Sequence, residues 1–207
     1  MEASTSASVR WANPDSWQQE LARRMCLATS RDTIRGLLFN GTLEVLKGLG
    51  GEALVKRGME ACGEARFLDF FSYPVGMHFR MIAAALPELT EEYGDPEEAL
   101  RELGRQVPAR FLVVGGNKAM MALSPGSPRQ LMCSVPMAYR LVANFGEYSL
   151  SWTGPYSGRL VLKGDFMPHP FHEGVLETLL GLGGAREVAV RGRQTGGLDS
   201  ECDFCWQ

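Results

Sequence analysis

Three histidines and five cysteines carry most of the chemistry this sequence offers, and their spacing decides what that chemistry can be. His169 and His172 flank Pro170, with Asp165 and Glu173 close by. Two imidazoles with nearby carboxylates can ligate a metal or shuttle protons. The proline fixes the local backbone, however, and the interval straddles a loop and a helix start. The plainer reading is a helix-entry turn, with His172 or Glu173 near the positive end of the helix dipole. Cys202 and Cys205 have the spacing of half a zinc site, but no second pair supplies the remaining ligands, and Cys133 or His169 would have to complete it from afar. In an extended strand, residues three apart also point to opposite faces, so buried or edge thiols are expected. No metal is assigned; His169, His172, Cys202 and Cys205 are its weak candidates.

The remaining chemistry is apolar. Phe70, Phe71, Tyr73, Met77, His78 and Met81 form a soft, adaptable set with two polar tips, and such a set suits a pocket for a hydrophobic ligand. It equally suits a plain core, with His78 as a core or surface histidine. Nothing supports catalysis. There is no G-x-S-x-G elbow and no phosphate loop ending in Gly-Lys-Ser/Thr. Gly48-x-Gly50-Gly51 ends a helix where a dinucleotide fingerprint would join a strand to one. Asp69 and Glu44 have no spacing that assigns acid–base roles, so no catalytic residue is named and the chain is expected not to be an enzyme.

Composition sets the background for these sites. With 207 residues, 45% hydrophobic and 22% charged, the chain has the make-up of an ordinary globular protein with one sizeable core. A net charge of −3 argues against a nucleic-acid partner. Arg159, Lys163, Arg186, Arg191 and Arg193 form a local basic cluster, which reads as the solvated face of a strand pair. No stretch reaches the roughly 18 apolar residues of a membrane span, and Met1 to Ser8 lack the features of a signal peptide. The expectation is a cytoplasmic chain with reduced thiols, a disordered tail over 1–14 and a single domain over 15–207.

Periodicity then orders the elements. Trp17, Leu21, Met25 and Ala28 recur at helical spacing after a cap at Asp15 or Ser16. A second helix is expected from a cap at Asp32 or Thr33 to the Gly48–Gly51 stop, and a third from Glu52 to Cys62. Between Phe67 and Met81 the pattern predicts a helical turn, a break at Pro74 and Gly76, then a helix to Leu86. Asp95-Pro96-Glu97-Glu98 opens the next helix, which runs to Val107 or on to Val114. Gly115-Gly116 and Ser124 to Pro128 bracket a linker-like methionine-rich segment, and a further helix covers Arg129 to Phe145. From Gly146 the period changes to two. Tyr148–Trp152 and Arg159–Leu162 make one hairpin, Phe171–Leu180 a helix, and Glu187–Arg191 with Glu201–Trp206 a second hairpin. The fold class is α+β: a helical half over 15–145, then β-β-α-β-β over 146–207 with a four-stranded antiparallel sheet packed on helices.

Gly41–Gly51 and Gly174–Gly184 agree at eight of eleven positions. Each is a leucine-faced helix closed by glycine, with a leading glycine that lets a neighbour approach. A duplication is one reading; two short helices meeting the same capping requirement is the plainer one.

Several longer motifs carry a family resemblance. Arg31-Asp-Thr-Ile-Arg-Gly-Leu-Leu-Phe-Asn-Gly-Thr-Leu-Glu44, Phe67-Leu-Asp-Phe-Phe-Ser-Tyr-Pro74, Trp152-Thr-Gly-Pro155, and Gly164-Asp-Phe-Met-Pro168 with Gly174-Val-Leu-Glu177 occur in this order. The set resembles a myxobacterial paralogous family of uncharacterised proteins. More distantly, the layout is similar to the superfamily of 4-vinyl-reductase-type small-molecule-binding domains, haem–nitric-oxide-binding domains and vesicle-tethering subunits that hold an acyl chain. That likeness implies a regulatory ligand-binding domain, often dimeric. It does not extend to haem: none of His78, His169 and His172 lies in or just after Pro96–Val114, where those relatives would place the axial ligand. No cofactor is expected. The reading is a regulatory domain binding an apolar small molecule, a protein partner or both. The alternative is a ligand-free adaptor acting as a homodimer, and a third is a metal protein or enzyme using His169 and His172.

Overall fold

The structure is a computed structural model that describes residues 14–114 and 127–207. The expected tail over 1–14 and the methionine-rich segment fall almost wholly outside those residues. Helix α1 (Pro14–Leu27) buries Trp17, Leu21 and Arg24, a stripe at i, i+4 and i+7, and packs against α3. Thr33–Arg35 was expected to begin a helix and is instead strand β1, paired antiparallel with β2 (Ser72–Pro74). β-Branched Thr33 and Ile34 favour extended backbone, and Pro74 holds Tyr73 extended. Asp32 caps no helix; its carboxylate accepts hydrogen bonds from the Thr29 amide and hydroxyl, both at 2.7 Å.

Helix α2 (Gly36–Cys62) joins the two expected helices across a kink at Gly51, whose φ of 63° suits glycine. The helical turn expected near Phe67 is a single hydrogen-bonded turn from Leu68 to Phe71, leading into β2. Helix α3 (Val75–Tyr93) continues through Pro87, because buried Ile82, Leu86 and Leu89 hold its inner face while the proline removes a single amide donor. Helix α4 (Pro96–Val114) is capped by Asp95, which accepts from the Glu98 amide at 2.8 Å. Helix α5 spans Pro128–Val142. Among the described residues, no helix is long and apolar enough to cross a membrane.

The sheet is built as the period-two pattern predicts. Strands β3 (Glu147–Gly154), β4 (Ser157–Lys163), β5 (Ala189–Gln194) and β6 (Ser200–Cys205) pair antiparallel in the order β3-β4-β6-β5. Tyr148, Leu160, Leu162, Val190, Cys202 and Phe204 alternate inward. The basic cluster is partly neutralised on the outer face: Arg159 pairs with Asp203 at 2.6 Å, and Arg193 pairs with Glu201.

Helix α6 (His169–Leu182) joins two apolar cores. Phe171 and Val175 enter the helical core, while Leu176 and Leu180 enter the core beneath the sheet. Its contact with α4 is backbone to backbone. A Cβ on Gly104 would stand 1.9 Å from the Phe171 carbonyl oxygen, and one on Gly174 would stand 1.9 Å from that of Arg101. Only glycine permits this approach. Ion pairs flank it: Arg101 with Glu173 at 2.5 Å and Arg105 with Glu177 at 2.8 Å. The echoed segments therefore differ in use. Both contain a closing glycine of positive φ, Gly51 and Gly184, but a Cβ on Gly41 would meet nothing within 4 Å. The leading glycine admits a neighbour only at Gly174.

Candidate ligand cavity

A cavity of about 120 Å³ opens where α3, α4, α5 and α6 meet β1, α2 and β3. Helix α5 turns Val135, Ala138, Tyr139 and Val142 toward it, which is the i, i+3, i+4, i+7 stripe of one helical face. Helix α6 contributes Phe171, Val175 and Leu179 at four-residue intervals, and α4 contributes Val107 and Pro108. The described wall is apolar except for His78, Tyr139, Tyr148 and Asp165.

Three of these polar side chains satisfy one another through His172, just behind the wall. The Tyr139 hydroxyl lies 2.6 Å from His172 Nδ1. The Tyr148 hydroxyl donates to Asp165 Oδ2 at 2.8 Å, and the Met167 amide donates to Oδ1 at 2.7 Å. His172 Nε2 lies 3.2 Å from the Met167 carbonyl and 3.5 Å from Asp165 Oδ1. Burial works to raise the Asp165 pKa, but His172 and the two donors outweigh it and hold the carboxyl below its ordinary range. Burial pushes both tyrosine hydroxyls up, with the Asp165 charge adding to it, so they stay protonated. Buried Arg24 steadies the same loop from α1, donating to the Phe166 carbonyl at 3.2 Å.

His78 stands apart from this network. It is 2% exposed, and its Nε2 lies 2.8 Å from the Thr42 hydroxyl while Nδ1 has no partner among the described residues. Burial alone lowers its pKa from the ordinary 6.5 to about 4. Because the folded pKa is depressed, the unfolded chain takes up the proton first. Stability is therefore unaffected above pH 6.5 and falls by roughly 3 kcal/mol as pH drops toward 4. Urea midpoints across that range should show this slope, and His78→Leu should flatten it.

The six residues read from the sequence as a pocket are not gathered there. Only His78 reaches the wall. Phe70 and Phe71 are 67% and 62% exposed, on irregular chain before β2. Tyr73 packs on Phe39 and Phe67, Met77 lies at the edge of the helical core, and Met81 is buried within it. The chain does make a hydrogen-bonded turn here, with the Phe71 amide donating to the Leu68 carbonyl at 3.0 Å, but it leaves both rings facing outward.

The weak metal candidates are also dispersed. His169 Nδ1 lies 2.8 Å from Glu173 Oε1, within the Arg101 ion pair, whereas His172 turns to Tyr139 and Asp165. Cys202 is buried and Cys205 exposed, on opposite faces of β6. Among the described residues, no three His, Cys, Asp or Glu side chains gather as a metal site needs. The sequence reading names neither Tyr139 nor Tyr148, and names Asp165 only as a carboxylate near His172, which is where the structure places it. The signal of the tyrosines was faint: Tyr148 falls on the inward register of β3, and a buried tyrosine hydroxyl needs a partner.

Residues 27–207 match the model of the family described as "Protein of unknown function (DUF2378)". The chain belongs to the DUF2378 family. No curated protein matches the DUF2378 chain in sequence. Its fold is similar to that of an H-NOX protein from S. oneidensis in the Fe(II)NO ligation state. That structure has a TM-score of 0.66 at 10% identity, covering 84% of this chain and 99% of that one. An Fe(II) unliganded H-NOX protein from K. algicida gives 0.64 at 11%, covering 84% and 97%. A structure addressing haem distortion in the H-NOX family gives 0.60 at 14%, covering 84% and 95%. At these identities the likeness establishes the fold of the DUF2378 chain and nothing finer.

Proposed function

We propose that this DUF2378 chain is a non-catalytic, cytoplasmic regulatory domain that binds a compact apolar molecule in the cavity between its helices and sheet. Membership of a myxobacterial paralogous set belongs to the same proposal and rests on the motifs quoted above. The observation that carries the reading is the cavity. An apolar cavity of about 150 Å³ takes up benzene or xenon, and this one is of the same order at about 120 Å³. A ligand there touches α3, α4, α5 and α6 together, so a conformation in which these elements are spaced differently would bind it with different affinity.

Haem, which an H-NOX fold holds, does not fit. Pockets for drug-sized ligands begin at about 300 Å³, well above the space present. The described wall includes no arginine or lysine to meet propionates, and its one histidine engages Thr42 through Nε2.

Melting the protein with toluene at a hundredfold its Kd should raise Tm by about 5 to 10 °C. Ala138→Leu fills the cavity and should abolish that rise while changing stability by no more than about 1 kcal/mol. No rise with benzene, toluene or xenon would remove the reading.

A second reading rests on the surface. Phe70 and Phe71 are exposed, as are Met137 and Leu141 on α5, and Arg35 donates to the carbonyls of both Phe70 and Leu141. This apolar face suits an adaptor acting as a homodimer or through a protein partner. A dimer in sedimentation of the purified chain, together with no rise in Tm with toluene, would favour this second reading.

A further inference from the structure

We propose that the cavity selects against any hydrogen-bonding group in its ligand, and that His172 sets this selectivity by holding the Tyr139 hydroxyl away from the ligand. The inference rests on the cavity-binding reading. It adds what the ligand must lack and which residue enforces that. Four polar side chains stand in the described wall, yet they present almost no polar surface to the cavity. His78 Nε2 is taken up by the Thr42 hydroxyl, and Nδ1 is itself inaccessible. Asp165 has both oxygens engaged, Oδ2 by the Tyr148 hydroxyl at 2.8 Å and Oδ1 by the Met167 amide at 2.7 Å. That leaves the Tyr139 hydroxyl.

The surroundings of His172 fix which way this hydroxyl points. The ring is fully buried and stands behind the wall, not in it. Its Nε2 faces two acceptors, the Met167 carbonyl at 3.2 Å and Asp165 Oδ1 at 3.5 Å, so Nε2 carries the hydrogen. Nδ1 of the neutral ring then offers a lone pair, and the Tyr139 hydroxyl donates to it at 2.6 Å. The single hydrogen of Tyr139 is thus spent away from the cavity, and the ring carbons meet the ligand. A hydroxyl, amine or carbonyl brought inside gives up its hydrogen bonds to water and finds no replacement among the described residues. The ligand is therefore a hydrocarbon or similarly non-polar molecule of about benzene's size, without a hydroxyl, amine or carbonyl.

Toluene and phenol are the matched probes, being nearly isosteric and differing in one polar group. Titration calorimetry on the wild-type chain should give toluene at least about tenfold tighter binding than phenol. His172→Leu removes the acceptor and frees the Tyr139 hydroxyl to turn toward the cavity, so the two affinities should come within about threefold. His172→Asn keeps an acceptor near the place of Nδ1 and should restore most of the preference. A merely structural role would weaken both probes alike, and an unchanged ratio in His172→Leu overturns the assignment of His172. Should the variants fail to fold, the wild-type ¹⁵N spectrum decides. His172 should carry hydrogen on Nε2 alone, with or without toluene, and a hydrogen on Nδ1 overturns its role. Phenol binding as tightly as toluene to the wild type overturns the selectivity and leaves the cavity reading standing. Binding of neither probe overturns both.

Discussion

Gly104→Val should unfold the chain at a markedly lower urea concentration, with a loss of about 3 kcal/mol. Even the first added carbon would lie 1.9 Å from the Phe171 carbonyl oxygen, where no side-chain rotation relieves the clash. Helices α4 and α6 would have to separate by more than an ångström. That movement would stretch the Arg101–Glu173 and Arg105–Glu177 pairs and unpack Phe171 and Val175. Alanine should be less severe, because its better helix propensity returns up to about 1 kcal/mol. Gly174→Val meets the Arg101 carbonyl at the same distance and should behave alike. The two substitutions together should cost less than their sum, because either one already breaks the shared contact. A loss below about 1 kcal/mol for Gly104→Val would show that the helices part freely, contrary to this packing.

Asp165→Ala should be comparably damaging, at about 3 to 5 kcal/mol, because it removes the acceptor of a buried network and leaves the donors behind. The Met167 amide and the Tyr148 hydroxyl both lose their partner, and His172 loses its neighbouring charge. Asp165→Asn keeps the shape and one acceptor, so about 1 to 3 kcal/mol is expected. Acid titration separates the carboxylate from His78. Asp165 has a depressed folded pKa, so its contribution is complete above the unfolded carboxyl value and is lost as pH falls through the lower folded one. The His78 contribution has already gone by then, between pH 6.5 and about 4. Asparagine at 165 should remove only the more acidic phase of the stability curve. A curve unchanged below pH 4 would contradict the charge assigned to Asp165.

These two sites show what the sequence made legible. The α+β class, the four strands and the helix between the hairpins could be read from period-two and period-3.6 patterns over 146–207, because each pattern is local. Asp95 was also readable, as was a glycine break over Gly48–Gly51, expected as a helix stop and found as a kink at Gly51, since caps and breaks are made by neighbours in the chain. Strands β1 and β2 were not, being three residues each and too short to show a period. The cavity escaped for a different reason. Its wall takes a few residues from each of several elements, so Tyr139, Tyr148 and Asp165 meet only after the helices dock on the sheet. Aromatic density drew attention to Phe70 and Phe71, yet density along a chain says nothing about which way irregular backbone turns a ring. His78 was found through the same cluster because α3 is regular and carries it inward.

Helix α6 lends one stripe to each of the two cores, with Val175 on one side and Leu176 beside it on the other. Neither core can melt by itself without uncovering leucine or phenylalanine that belongs to its neighbour. The two halves should therefore share a single cooperative transition at α6, and the amides at its centre should exchange with solvent as slowly as the slowest of either half.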